Sequence, residues 1–157
     1  MQRIVSLFDR TTGLLSGRVI ESVALLLTRL ALAGVFWRSY KTKIVDGTWF
    51  QIDEVQYFLF ESEFTGLPLP VNISVQLATY AEFLFPILLV LGLATRFSAA
   101  ALMVMALVIQ IFVFPTSEHF FGWAITIIAL AAILISRGAG VLSLDAPISN
   151  RVTKPHG

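Results

Sequence analysis

Arg29 and Glu82 are the residues whose positions most favour chemistry, because each lies near the middle of a long apolar segment. A lone charge at the centre of a membrane costs about 3 kcal/mol or more. An arginine and a carboxylate at the same depth on adjacent helices offset that cost if they meet inside a helical bundle. We therefore predict an Arg29–Glu82 ion pair. Two roles stay open for it: a structural role in fixing helix register, and a catalytic role in polarising a redox group or transferring protons.

Hydrogen-bonding and aromatic side chains are concentrated toward one end of the apolar segments, which we expect to be the outer half of a bundle. A cation, amides, a histidine and flat rings around an apolar slot are suited to a quinone headgroup, through hydrogen bonds to its oxygens and stacking on its ring. Tryptophan and tyrosine are also common at membrane boundaries, where they need no ligand. The candidate cofactor-binding residues are Trp37, Arg38, Lys41, Gln76, Tyr80, Gln110, His119 and Trp123.

The sequence offers few side chains that bind metal ions. It contains no cysteine, which excludes disulfides, thiolate nucleophiles and iron–sulfur clusters, and its histidines are His119 and His156. Copper favours thiolate, thioether or several imidazole ligands. The thioethers of Met103 and Met105 lie within one apolar segment, where packing is their more common role. We therefore predict no metal site, and the lack of a basic run of residues argues against nucleic-acid binding.

The amino-acid composition indicates that these side chains lie in a membrane protein. Apolar side chains make up 57% of the chain and charged ones 13%, whereas about a quarter of an ordinary soluble domain is charged. A bilayer core of about 30 Å is crossed by a helix of about 20 apolar residues. The sequence has four such segments, which we place at residues 19–40, 74–94, 97–114 and 120–136.

The breaks between these segments predict how the helices follow one another. The second and third segments are joined only by a turn around Thr95, so they must be antiparallel neighbours. Pro115 ends the third segment, because proline lacks the amide hydrogen and clashes with the preceding turn. Gly138 and Gly140 end the fourth, because glycine tolerates a positive φ. We therefore predict an all-α integral membrane protein, a four-transmembrane-helix up-down bundle.

The bundle domain covers residues 19–146, between two flanking segments. Residues 1–18 are predicted to form a cytoplasmic segment that is either interfacial or disordered, and residues 147–157 a cytoplasmic tail. Lysine and arginine are more frequent on the cytoplasmic side of membrane proteins. With the N-terminus inside, the outer face keeps only Lys41 and Lys43. The inner face then carries Arg3, Arg10, Arg18, Arg96, Arg137, Arg151 and Lys154.

The connection between the first two segments, residues 42–73, is too long for a plain turn. Trp49, Ile52, Val55 and Leu59 recur in it at near-helical spacing, with acidic and amide residues between them. That pattern predicts an amphipathic interfacial helix on the outer membrane surface, ended by a proline-rich stretch. Two roles of the connection are equally compatible with the sequence: a lid that only covers the bundle, and a lid that also binds a ligand.

Several stretches of the sequence carry a resemblance to a known family. They are Arg29 followed by the outer Lys41, AEFLFPILLVLGLATRFSAAAL at residues 81–102, and GAGVLSLD at residues 138–145. Together they look like the DoxX family of small four-helix bacterial inner-membrane proteins, over residues 24–146. LATYAEFLFP and VIQIFVFP further resemble a subgroup often encoded beside multinuclear iron-dependent oxidases that modify copper-binding peptides. Arg38-Ser39-Tyr40 departs from the pattern, which has a small residue or glycine before the lysine.

The resemblance implies a location in the bacterial inner membrane and a link to membrane quinones. The family takes its name from a subunit associated with a terminal oxidase, and a related branch is similar to thiosulfate:quinone oxidoreductase subunits. In our first hypothesis the chain is a quinone-linked redox module, or a subunit of a membrane oxidoreductase system with a partner oxidoreductase.

In our second hypothesis the chain performs no chemistry. It would then be a membrane anchor, or a small-molecule or metal-handling partner of a copper or oxidative-stress system. The sequence leaves open whether the protein is an enzyme. It also leaves open a homo-oligomer, because Ala99-Ala100-Ala101 permits close helix contacts within one chain or between chains.

Overall fold

Helices form most of the chain in the computed structural model, which describes residues 17–147. Nearly all of the predicted segments 1–18 and 147–157 therefore lie outside the described residues. The helices are α1 (Arg18–Lys41), α2 (Glu54–Ser62), α3 (Val71–Leu91), α4 (Thr95–Val108), α5 (Ser117–His119) and α6 (Ile125–Arg137). Two π-helical segments complete them, Ile109–Val113 after α4 and Phe120–Ala124 between α5 and α6.

Within residues 17–147, four helical stretches are long and apolar enough to cross a membrane. They are Val19–Lys41, Val71–Leu91, Thr95–Val113 and Ser117–Arg137, called here the first to fourth spans. The chain is thus an all-α, multi-pass membrane protein, as the sequence predicts. Membrane lipid is its immediate surroundings.

The spans begin and end close to the predicted positions, for the predicted reasons at two of the ends. The third span stops at Val113, just before Pro115. The fourth is followed by Gly138 with a φ of +80°. The fourth begins earlier than predicted, at Ser117, because the side chain of Thr116 accepts a hydrogen bond from the His119 amide at 3.2 Å and caps the helix.

The spans form a ring in which each packs against its neighbours. The first span contacts the second and the fourth, and the third span contacts the same two. Small residues in the interior, such as Ala99, Ala106 and Ala131, let the helix backbones approach closely, which drives helix association where lipid is the solvent. Ala99 is therefore used for packing within the chain. The core consists of Leu25, Leu32, Ala33, Phe36, Leu89, Ala99, Leu102, Ala106, Ile127, Ala131 and Leu134.

The two ends of the bundle differ in structure. At one end, called here the α2 end, the first and second spans are joined by the connection that contains α2. At the opposite end, called the termini end, the turn at 92–94 joins the second and third spans and residues 138–147 follow the fourth. The predicted up-down order is the one observed.

The helix in the connection is shorter than predicted. The side chain of Asp53 accepts a hydrogen bond from the Val55 amide at 3.0 Å and caps α2 at Glu54. Trp49 and Ile52 therefore precede the helix, in a hairpin closed by an antiparallel bridge between Ile44 and Ile52. The sequence predicts a helix that includes them because the three-residue spacing of Trp49, Ile52 and Val55 is helical, and so short an apolar pattern does not show where a helix begins.

Candidate functional site

A cavity of about 1140 Å³ lies toward the α2 end of the bundle. Side chains from all four spans and from the connection line it, and most of them are apolar. Of the predicted site residues, Arg38, Glu82, His119 and Trp123 line this cavity together. The polar part of the lining comprises Arg38, Ser39, Thr42, Lys43, Ser74, Glu82 and His119.

Glu82 is the acidic group of this cavity, and its partner is Lys43. The Lys43 ammonium donates to Glu82 Oε2 at 2.8 Å and to Ser39 Oγ at 2.8 Å. Ser39 Oγ in turn donates to Glu82 Oε1 at 3.0 Å. The Glu82 residue is 2% exposed and Lys43 13%, so the charges are removed from bulk water and neutralise each other. We call Ser39, Lys43 and Glu82 the polar triad.

The hairpin in the connection holds Lys43 over the bundle. Lys43 is the residue before the Ile44–Ile52 bridge, and its carbonyl accepts a hydrogen bond from the Asp53 amide at 3.0 Å. Its own amide donates to the Tyr40 carbonyl at 2.9 Å. Because both backbone groups are fixed, the side chain starts from a defined position at the end of the first span.

Pro86 changes the backbone beside Glu82. It lies inside the second span and has no amide hydrogen to donate to the Glu82 carbonyl one turn earlier. In a membrane helix such a site is tolerated where neighbouring groups surround it. Both residues are buried, on the side of the span that faces the other helices.

The predicted Arg29–Glu82 ion pair is wrong. The Arg29 guanidinium is fully buried near the termini end, where it donates to the carbonyl oxygens of Leu89 (3.2 Å) and Leu142. Asp145 is the acidic residue whose charge acts on it. Arg29 thus joins the first span to the end of the second and to the segment that follows the fourth.

An axial stagger between the first two spans explains the error. Arg29 lies level with Leu89, and Ser39 lies level with Glu82. Arg29 and Ser39 are about 15 Å apart along their helix, so Arg29 and Glu82 differ in depth by roughly 10 to 15 Å. Each residue is near the middle of its own span, but the midpoints of the two spans do not coincide.

Asp145 completes the structure around Arg29. Its carboxylate accepts hydrogen bonds from the backbone amides of Ala94 (2.8 Å) and Thr95 (2.9 Å), at the start of the third span. Its own amide donates to the Gly92 carbonyl at 2.9 Å. A Cβ at Gly92 would lie 2.1 Å from Arg29 Nη1, and the φ of Gly92 is +67°. The contacts of Arg29, Gly92 and Asp145, which we call the inner clasp, therefore need glycine here.

His119 is held at the cavity in a fixed orientation. The side-chain amide of Gln110 donates to the Thr116 carbonyl at 3.1 Å, so its oxygen must be the atom that faces His119 Nδ1 at 2.6 Å. Nδ1 therefore carries a proton, and Nε2 of the neutral ring is left as an acceptor. Gln110 itself does not line the cavity and reaches it through His119.

Aromatic rings fix the plane of the imidazole. The His119 ring centroid lies 4.9 Å from that of Phe114 and 5.2 Å from that of Trp123, with interplanar angles of 35° and 36°. Trp123 packs in turn on Phe36 of the first span at 6.2 Å. All four of these residues line the cavity.

Both π-helical segments border the cavity. Ile109 and Val113 of the first segment and Trp123 of the second contribute to its lining. A π turn adds one residue to a helical turn and changes the direction of the side chains that follow, and such turns are frequent at functional sites. Gln110 lies in the first segment, and His119 directly precedes the second.

Arg38 lines the cavity but is exposed. Within the part of the chain that the structure describes, it has no hydrogen bond or ion pair. Its guanidinium therefore differs from that of Arg29, whose Nη1 and Nη2 donate to backbone carbonyls, although the buried Nε of Arg29 has no partner within residues 17–147.

The other predicted site residues lie away from the cavity. The rings of Trp37 and Phe83 are 6.0 Å apart in an aromatic cluster that includes Tyr40, Trp49 and Phe50. The Lys41 ammonium lies 5.7 Å from the ring centroid of Trp49, in a cation–π contact. These positions suit an aromatic belt at a membrane boundary. Gln76 and Tyr80 are exposed and do not line the cavity.

Sequence reasoning missed Ser39 and Lys43, although a signal was present. Positions 25, 29, 32, 36, 39 and 43 follow one another at alternating steps of four and three, which place them on one helix face. That face contains the buried residues Leu25, Arg29, Leu32 and Phe36. If the same spacing is continued past Phe36, it reaches Ser39 and Lys43 but not Lys41. The spacing therefore predicts that Lys43 is the lysine that points into the bundle.

No group of three or more metal-binding side chains, counting histidine, cysteine, aspartate and glutamate, occurs within residues 17–147. The polar side chains of the cavity instead include one carboxylate, one imidazole and two cations. Such a set can bind a small polar headgroup through hydrogen bonds and can exchange protons with it.

Comparison with known proteins agrees with this architecture. A sequence model described as DoxX matches residues 24–115. A protein of Haemophilus influenzae described as uncharacterized is 34% identical over 133 residues, which cover 82% of this chain and 85% of the relative. No solved structure matches the chain at a significant level. The residues matched by the family model include Arg29, the polar triad and most of the cavity lining. The chain therefore belongs to the DoxX family.

Proposed function

We propose that the protein binds a membrane quinone in the cavity and acts as a quinone-linked redox module of the bacterial inner membrane. The observation that carries the proposal is the distribution of polar groups. The polar triad and His119 lie at the α2 end of a cavity that is otherwise mainly apolar. Ligand sites are typically apolar clefts of about 300 to 1000 Å³ with a few placed polar groups. At about 1140 Å³, this cavity has room for a quinone ring and part of its chain.

The residues at the α2 end fit a quinone headgroup. The Lys43 ammonium has a further N–H that its contacts with Ser39 and Glu82 do not use. Nε2 of His119 adds a group that accepts a hydrogen bond when the ring is neutral and donates one when it is protonated. Trp123 and Phe114 offer apolar ring faces beside it. We propose that these side chains hold the head.

A bound quinone would supply reversible exchange of electrons and protons at its ring oxygens. The chain's own contribution is proton handling: the Glu82 carboxylate accepts a proton, and Lys43 compensates its charge when the proton leaves. We propose that the α2 end faces the outer side of the membrane, with both termini in the cytoplasm, following the distribution of lysine and arginine. Electrons would come from, or go to, a partner oxidoreductase.

The test is direct measurement of bound quinone. Protein purified in mild detergent would be extracted and its lipid-soluble compounds identified by mass spectrometry, with an unrelated four-span membrane protein as control. We expect a quinone in near-stoichiometric amount in this protein and a trace in the control. Equal traces in both would contradict the proposal and leave the non-catalytic anchor as the better hypothesis.

A titration gives the second measurement. Trp123 would be the reporter, in a Trp37→Phe/Trp49→Phe background reconstituted in lipid nanodiscs, and a short-chain benzoquinone the quencher. We expect saturable quenching that is weakened about tenfold by His119→Leu, because a lost hydrogen bond to a buried polar group costs about 1 to 3 kcal/mol. The matched control is Gln76→Leu, a change at an exposed residue outside the cavity, which should leave the titration unchanged.

A further inference from the structure

The α2 end of the cavity is covered by the connection. Three apolar side chains of the connection line the cavity at this end: Phe60, Phe64 and Leu67. Phe64 meets Phe114 edge to face, with ring centroids 6.0 Å apart, so the connection touches the end of the third span. At Gly66 the two backbones are so close that a Cβ would lie 2.7 Å from the Phe112 carbonyl oxygen. The connection therefore packs over the α2 end of the cavity at both of these contacts.

The side of the cavity between the second and third spans is not covered in this way. Leu77, Phe97 and Val104 line the cavity and are nevertheless 59%, 67% and 57% exposed. These residues lie on two spans that are held together by the turn at 92–94, at the termini end. In a membrane, their exposed surfaces face lipid. The cavity thus opens sideways into the bilayer.

Small side chains keep this gap free. Ala78 and Ala81 on the second span and Ala100 and Ala101 on the third all line the cavity. Alanine leaves the space between two helices empty where a leucine or phenylalanine would fill it. Ala99, next to them in sequence, is fully buried in the core instead, so the alanine stretch serves two purposes.

Polarity along the cavity is graded. The polar triad and His119 lie at the α2 end, whereas Phe85 and Phe97 line it toward the termini end. Phe97 and Val108 both line the cavity, and they are about 16 Å apart along the helix axis. A ligand that satisfies both ends has a compact polar head and an apolar chain.

We propose that the gap between the second and third spans is a lateral portal, through which a long-chain amphiphile enters from the bilayer and in which its chain remains once the head reaches the polar triad. This inference rests on the proposed quinone site and names its substrate class: quinones with a long chain that stay in the membrane. The head is recognised at the α2 end, and the chain leaves through the wall lined by Ala81 and Ala101.

The test blocks the portal without touching the polar groups. Ala81→Phe and Ala101→Phe each add a ring to the gap, and Ala129→Phe, at an exposed alanine of the fourth span outside the cavity lining, is the matched control. Two probes share one dimethoxy-methyl-benzoquinone ring, one without a side chain and one with a long isoprenoid chain. Quenching of Trp123 in the single-tryptophan background measures their binding in nanodiscs, with concentrations expressed relative to lipid.

We expect the portal variants to weaken binding of the long-chain probe about tenfold, because the added ring occupies the space that the chain needs. The ring without a chain needs no exit path, so its binding should change by less than about twofold. The control variant should affect neither probe. Equal sensitivity of the two probes, or no effect on either, would overturn the portal and leave the quinone site standing. Failure of the chainless ring to bind the unmodified cavity would instead overturn the proposed function.

Discussion

The ammonium of Lys43 lies 2.8 Å from the carboxylate of Glu82, and Ser39 bridges the two. This contact joins the end of the first span to the middle of the second and places an ion pair on the wall of the cavity. Arg29, the buried cation of the first span, contacts the Leu89 and Leu142 carbonyls, roughly 10 to 15 Å from Glu82 in depth. The bundle therefore has separate polar centres, one beside the cavity and one at the termini end.

Removal of Lys43 should destabilise the bundle strongly. Lys43→Met leaves the nearly buried Glu82 carboxylate without its compensating charge, and we expect a loss of about 3 kcal/mol in the free energy of unfolding. Adding Glu82→Gln to this variant should restore part of the loss, because the neutral amide needs no counter-charge. Unfolding in mixed micelles, followed by circular dichroism as the denaturing detergent is increased, gives the values for a double-mutant cycle.

Lys41→Met is the matched control for this cycle. Lys41 is exposed, and its ammonium makes a cation–π contact with the ring of Trp49, so its removal should cost about 0.5 to 1 kcal/mol. If Lys41→Met and Lys43→Met lowered the free energy of unfolding equally, the buried Lys43–Glu82 pair would stabilise the bundle no more than an exposed cation–π contact does.

Loss of the Arg29 guanidinium should also destabilise the fold, through different partners. Arg29→Met removes the donors that reach the Leu89 and Leu142 carbonyls and leaves Asp145 without the nearby cation, so we expect a loss of about 3 kcal/mol. Arg29→Lys keeps the charge but not the forked geometry, and should recover less than half of the loss.

Arg38→Met serves as the comparison for Arg29→Met in the same unfolding assay. Arg38 is exposed and has no ion pair within residues 17–147, so its stability effect should stay within about 0.5 kcal/mol. A larger effect of Arg38→Met than of Arg29→Met would show that the inner clasp is not what holds the termini end together.

Gly92→Ala tests the inner clasp from the opposite side. The new Cβ would meet Arg29 Nη1 at 2.1 Å and the Ser143 Cβ at 2.5 Å, at a backbone φ of +67° that disfavours alanine. The left-handed conformation alone costs about 1 to 2 kcal/mol, and the displaced neighbours add to it. We expect a fall in melting temperature in detergent, measured by scanning fluorimetry.

Gly34→Ala is the control for Gly92→Ala. Gly34 lies within the first span, and nothing occupies the space within 4 Å of its added Cβ. The change should raise stability by up to about 1 kcal/mol, because alanine is the better helix former. Equal melting temperatures for the two variants would contradict the close approach of Arg29 to Gly92.

Gln110 should affect quinone binding through the orientation of His119. Gln110→Leu removes the acceptor for Nδ1–H, so the imidazole loses its fixed tautomer and ring orientation. We expect about tenfold weaker binding of a short-chain benzoquinone in the Trp123 titration. His119→Gln in the same assay shows whether an amide can replace the imidazole. Unchanged affinity in Gln110→Leu would mean that His119 does not contact the ligand.

The sequence determined the membrane architecture because each of its signals is local. Apolar length requires four crossings, and Pro115 and Gly138 end helices through their own backbone chemistry. Of the predicted cofactor-binding residues, Arg38, His119 and Trp123 line the cavity. The family resemblance rests on the same residues, and the match over residues 24–115 confirms it.

Tertiary structure decided which polar groups meet. Hydropathy gives the length of a span but not its axial offset from a neighbouring span. Because the first two spans are staggered, Glu82 pairs with Lys43, and Arg29 donates to the Leu89 and Leu142 carbonyls. The packing of the third and fourth spans brought His119 to Gln110, and the connection lies over the cavity. These arrangements depend on contacts between residues that are far apart in the chain. Helical periodicity shows which residues share a face of one helix, but not which residues of two helices lie opposite each other.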